Sequence, residues 1–138
     1  MPADRRERLT HDHRLTTSRH YAEVKEHGVA MRGRHCLLVV LPKAGDATRF
    51  GFIASKRGVG GAVQRNRARR RLREIVRRRW PRIPEHGFWI VVIASKGALT
   101  APHEQLASEL ERLLASAGAL LPIHLPADAP PAVAQTPQ

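Results

Sequence analysis

The chain has 138 residues, of which 42% are apolar but only six are aromatic, enough for one domain whose core rests on aliphatic side chains. Its formal charge of +12 points to an anionic partner, and the single cysteine, Cys36, excludes an internal disulfide or a thiolate zinc cluster and suits a reducing cytoplasm. The charged opening MPADRRERLTHDHR lacks the apolar stretch of a signal peptide, and no apolar run approaches the ~18 residues that span a bilayer, so a soluble, cytoplasmic protein without membrane contact is expected.

Residues 1–15 are polar and aperiodic, which predicts a flexible arm. TTSRHYAEVKEHG follows, a short helix with Thr16, Thr17 or Ser18 as its cap, Gly28 as its stop, and Tyr21 and Val24 on one face. HCLLVVL, closed by Pro42, reads as a strand buried on both faces, and KAGD as a turn. RFGFIAS is a second strand, with Phe50 and Phe52 on one face and Arg49, Gly51 and Ile53 on the other. KRGVGG breaks regular structure, an arginine-rich helix follows, and PRIPEHG ends it. FWIVVIAS is a further strand. In TAPHEQLASELERLLASAG, Thr100 is the expected cap of a helix whose stripe is Leu106, Leu110, Leu113 and Leu114. From Leu121 onward five prolines fall in 18 residues, and 119–138 reads as a disordered Pro/Ala-rich tail. The order α-β-β-(β)-α-β-α predicts a single-domain α+β sandwich on a central sheet.

The arginine segment carries the function. Between Arg65 and Arg79 stand nine arginines and one acid, Glu74. At 100° per residue, Ala68, Leu72, Ile75 and Val76 share a sector of roughly 100°, the width of a stripe that docks on a sheet. Arg65, Arg69, Arg73 and Arg77 form an i, i+4 ridge beside it, with Asn66 and Arg70 adjacent and Arg67, Arg71 and Arg78 on the opposite flank. Like charges at this spacing destabilise a helix by a few tenths of a kcal/mol each, so the ridge is suited to an anion that offsets the repulsion. Twenty arginines against four lysines favour bidentate phosphate contact. A GC-rich genome would account for the choice of arginine but not for the clustering. RNA is favoured over DNA because neither a helix-turn-helix spacing nor a zinc motif is present. The preceding SKRGVGGAVQRN lacks the P-loop pattern, yet its glycines, with Lys56 and Arg57 beside them, suit phosphate at a helix N-terminus.

Other candidates read as structural. The eight histidines are scattered without ligand spacing; Cys36 is a buried thiol with no base suggested near it; Glu74 balances charge; Trp80 and Trp89 pack. No constellation in the polypeptide is suited to hydrolyse a phosphodiester, so no catalytic residue and no metal site is expected.

RFGFIASKRGVGGAVQRNRARRRLREIVRR, residues 49–78, resembles the central segment of the bacterial ribonuclease P protein subunit, in which an Arg-Asn-Arg helix follows a Ser-Lys-Lys/Arg loop containing glycine. RLTTSRHYAEVKEHG and HEQLASELERLL resemble that family's first and last helices, so the likeness covers roughly 14–118. The resemblance implies an RNA-binding domain over 16–118, with the basic helix in a left-handed β-α-β crossover, although such units are otherwise right-handed about 98% of the time. It implies the small subunit of a ribonucleoprotein that removes 5′ leaders from precursor tRNA, with hydrolysis performed by the RNA subunit and its magnesium. By position, the RNA-binding residues are Lys56, Arg57, Arg65, Asn66, Arg67, Arg69, Arg70 and Arg73, and the leader cleft holds Tyr21, Lys25, Val39 and Phe52. Lys25 and Val39 stand where the family often has aromatics, so fewer bases should stack here and charge should contribute more. The alternative is a non-catalytic RNA-binding protein, such as a ribosomal protein.

Overall fold

The structure, a computed structural model, describes residues 13–121. Helix α1 (Ser18–His27) starts where Thr17 Oγ1 accepts the His20 N–H and stops at extended Gly28, whose N–H reaches Val24 O. Four strands follow the order β1-β2-β4-β3, where β1 is Val29–Arg32, β2 Cys36–Ala47, β3 Arg49–Ala54 and β4 His86–Ala94. The pairs β1–β2 and β2–β4 are antiparallel, and β3–β4 is parallel. Helix α2 (Ala62–Arg78) joins the parallel pair, and the short α3 (Gly97–Thr100) leads into α4 (His103–Ser116). The α+β domain expected from the sequence is present, but the additional strand, β1, precedes HCLLVVL instead of following RFGFIAS. It is four residues long and mostly exposed, too short to show a period.

The sheet separates two apolar layers. On one face the α2 stripe of Ala68, Leu72, Ile75 and Val76, each fully buried, packs with Leu38, Phe50, Ile90, Val92 and the four α4 leucines. On the other, Val24 of α1 covers Val39, Trp89 and Val91. The strand reading of RFGFIAS holds, since Phe50 joins the first layer and Ile53 the second. Trp80 is fully buried and meets Phe50 edge-on at 6.2 Å, and Trp89 is 8% exposed.

Several local readings need correction. Pro42 does not end β2, because β1 pairs only as far as Val40 and leaves the rest of β2 at an edge, where proline is tolerated. Pro42 therefore still pairs with Phe88, and KAGD is a register slip between Lys43 and Ala47 with Gly45 at φ 88. Thr100 does not cap α4. Pro102 forces Ala101 into an extended conformation (φ −65, ψ 147) and helix α4 restarts after it.

Buried contacts also extend beyond residues 16–118 at both ends. Leu15 is buried with its N–H on Phe50 O, and His13 Nδ1 lies 2.7 Å from Thr48 O, so the arm is anchored from residue 13. At the other end Gly118, at φ 79, closes α4 as Ala119 N–H returns to Leu114 O and Gly118 N–H to Ala115 O. This turn directs Ala119 and Leu120 into the core, and Leu121 N–H reaches Arg82 O. Residues 1–12 and 122–138, the rest of the expected arm and tail, lie outside the described residues.

Candidate nucleic-acid interface

Helix α2 is a partition. Its stripe is docked, and Asn66, Arg67, Arg70 and Arg73 are exposed, with Arg65 and Arg69 half-buried beside the stripe. Arg69 donates to Asn66 Oδ1, which holds both polar ends on the outer face. Arg73 sets its guanidinium 5.6 Å from the Phe52 ring centroid. Partial burial and the neighbouring Arg14 and Arg69 cations push the Arg73 guanidinium below its usual value, against the raising effect of Tyr21. The loop before α2 places Lys56 and Arg57 in solvent, anchors itself through buried Val59, and closes a Gly58 N–H to Ser55 Oγ hydrogen bond of 2.9 Å. Gly60, at φ 142, needs its glycine. Gly61 caps α2 without a side-chain hydrogen bond to its first N–H groups.

Not every arginine of the segment faces solvent. Arg71 donates to Ala98 O at 2.9 Å and Ala101 O at 2.6 Å, tying α2 to α3. Arg77 is held by Glu74, with Arg78 at 3.7 Å from the same carboxylate, and the Arg77 hydrogen bond keeps the Glu74 carboxyl below its usual range. Arg79 bridges to Glu111 at 2.7 Å and to Ile75 O. The charge-balancing reading of Glu74 is borne out. The structural task of Arg71 is hidden from local pattern, because its acceptors lie 27 and 30 residues away.

The opposite face of the sheet carries a cavity of about 690 Å³ under α1, lined by Ser18, Tyr21, Ala22, Lys25, Glu26 and Ile53. Tyr21 lies over Gly51, where a Cβ would stand 2.5 Å from its ring. Burial pushes the Tyr21 phenol up, against the lowering effect of a hydrogen bond from the Phe52 backbone. Of the four expected cleft residues, the structure brings Tyr21 and Lys25 to this cavity. Val39 is 5% exposed beneath α1 and belongs to the layer below it. Phe52 points to the α2 face, stacked on Phe50 at 6.1 Å, because alternate residues of a strand face opposite ways. It meets Tyr21 only in a crevice of about 100 Å³ at the β3 edge, shared with Arg14 and Arg73. Ile53 takes the place assigned to Phe52, and the period-2 pattern already contained that signal.

Sequence pattern gives no hint of Glu109. It is 3% exposed, and its carboxylate accepts the backbone N–H groups of His35 (2.8 Å) and Cys36 (3.1 Å) and pairs with His35 Nδ1 at 2.8 Å. Burial alone would raise its carboxyl, but the hydrogen bonds from His35 and Cys36 hold it below its usual range. Burial and the Glu109 charge push the Cys36 thiol far up, so Cys36 is an inert core group. Among the described residues no group of three or more His, Cys, Asp or Glu is placed to hold a metal ion, and no helix is long and apolar enough to cross a membrane.

Comparison with known proteins agrees with this geometry. The family described as ribonuclease P matches residues 9–118. The ribonuclease P protein component of Symbiobacterium thermophilum is 42% identical over 78% of this chain and 93% of its own. That of Chloroflexus aurantiacus is 38% identical over 80% of each. The structure of the RNase P protein from Thermotoga maritima superposes with a TM-score of 0.64 over 73% of this chain and 94% of its own, at 28% identity.

Proposed function

The chain belongs to the ribonuclease P protein family, and from that membership we propose that it binds the catalytic RNA and the 5′ leader of precursor tRNA and so assists endonucleolytic removal of the leader in the cytoplasm. Lys56, Arg57, Arg65, Asn66, Arg67, Arg69, Arg70 and Arg73 bind the RNA subunit through phosphate and base-edge contacts. The cavity under α1 takes the single-stranded leader: Tyr21 offers one ring for stacking and Lys25 a charge for the backbone. The polypeptide supplies no group to the bond-breaking step. Hydrolysis and its magnesium belong to the RNA, and the protein positions the two nucleic acids.

The observation that carries this reading is the division of α2. Its four apolar residues are fully buried while Asn66, Arg67, Arg70 and Arg73 are exposed, an arrangement in which three cations pair with no acid of the described residues and suit an external anion. The test is reconstitution of the full chain with a transcribed ribonuclease P RNA and a precursor tRNA. RNA and protein together should release the leader faster than RNA alone, and protein alone should release none. Leader-specific cleavage by RNA-free protein, or an RNA whose rate ignores the protein, would overturn it.

A further inference from the structure

Three strands meet at one end of the sheet. Cys36 and Ala54 both pair with Ala94, so the start of β2 and the ends of β4 and β3 lie side by side in that order, about 5 Å between neighbours. Just beyond them come Arg34 and His35, Ser95 and Lys96, and Ser55, Lys56 and Arg57. The backbone there is held in place: Ser95 donates both its N–H (3.1 Å) and its hydroxyl (2.7 Å) to His35 O. Gly97 fits against the His35 ring so closely that a Cβ would collide with it.

Arg34, Lys56, Arg57 and Lys96 are all exposed, and none makes an ion pair with a described residue. Several cations elsewhere in the fold are paired internally instead. Lys43 has Glu23, Arg77 has Glu74, and Arg79 and Arg82 share Glu111. Glu109, which meets the backbone beside Arg34, is buried and already engaged by His35 and Cys36. A crevice of about 450 Å³ extends the edge, with Arg34 on one side and Arg112 on the other, and Glu104 is its exposed acid. Four such cations on a fixed backbone repel one another until an external polyanion arrives.

We infer that the RNA-binding surface does not end at the loop before α2 but continues across the strand ends to Arg34, forming a second edge that grips the sugar-phosphate backbone of the same RNA. The inference rests on the RNA-binding reading of α2, with which the edge is continuous at Lys56 and Arg57. It adds Arg34 and Lys96 as phosphate contacts that the helix period cannot show. A sugar-phosphate backbone fits better than a base-reading partner, since no Phe, Tyr or Trp stands among these residues to stack on and the His35 ring is already packed on Gly97 and paired with Glu109.

The test measures binding of a transcribed bacterial ribonuclease P RNA by the full chain across a salt series, with thermal melts of each variant. Arg34→Gln and Lys96→Gln should each make the slope of log affinity against log salt shallower by about 0.7–0.9, the value of one lost phosphate contact, with unchanged melts. Arg19→Gln, an equal loss of charge on α1, should leave the slope alone, and Arg69→Gln reports the α2 surface. If Arg69→Gln lowers the slope but Arg34→Gln and Lys96→Gln do not, the edge is no contact and the inference fails alone. If Arg19→Gln acts as strongly as they do, only diffuse charge is at work and the inference also fails. If no variant moves the slope, the RNA-binding reading itself falls.

Discussion

Glu109, near the middle of α4, accepts the backbone N–H of His35 at 2.8 Å from 74 residues away and also pairs with its ring, so one carboxylate fastens the β1–β2 turn to the last helix. Gly33 is part of the fit, because a Cβ there would collide with the carboxylate. Glu109→Ala should leave the N–H groups of His35 and Cys36 unpaired, each costing about 1–3 kcal/mol. Thermal melts should show the loss, and RNA affinity per folded molecule should hold.

The same carboxylate sets a pH dependence. Its folded-state value lies below the ordinary 4.5, so its contribution is fully present above about pH 4.5 and is lost as pH falls through the depressed value. Wild type should therefore lose stability below pH 4.5 more steeply than Glu109→Gln, with the two curves converging in acid. Parallel curves in urea melts from pH 6 to pH 3 would contradict this.

Leu72 and Arg69 separate the two faces of α2. Leu72→Ala empties a fully buried site and should cost about 2–5 kcal/mol, with RNA affinity falling only as folded protein is lost. Arg65→Ala, Arg69→Ala and Arg73→Ala should weaken RNA binding and make its salt slope shallower by about 0.7–0.9 each without unfolding the domain.

Arg71 should behave unlike its neighbours in the same arginine run. Its guanidinium is committed to Ala98 O and Ala101 O, and a hydrogen bond to a charged group contributes about 1.5–3 kcal/mol. Arg71→Gln is expected to lower the melting temperature and leave the salt slope of RNA binding unchanged. Exposed Arg67→Gln should do the reverse.

The end of α4 gives a further comparison. A chain ending at Leu121 should melt higher than one ending at Gly118, because the shorter one removes buried Ala119 and Leu120. Burying a leucine side chain is worth about 1.5–3 kcal/mol. Equal melting temperatures would show that these two residues add nothing to the core.

Local period alone determines much of this protein. The α2 stripe, the α4 leucines, the alternation of β3 and the arginine ridge are legible because each is written in residues three, four or two apart, and a helix or strand turns that spacing directly into a face. The Ser-Lys-Arg loop and the Arg-Asn-Arg triplet sit within the same short stretch, so the family is legible there too. Tertiary structure decides what depends on partners far along the chain. Pro42 stays in its strand because β1 stops at Val40, and Leu15 is core because Phe50 O takes its N–H. Arg71 is structural because α3 lands beside it. Glu109, an acid on an amphipathic helix, carries no local sign of burial; a buried carboxylate is stable only when donors meet it, and folding brings those donors from 73 and 74 residues away.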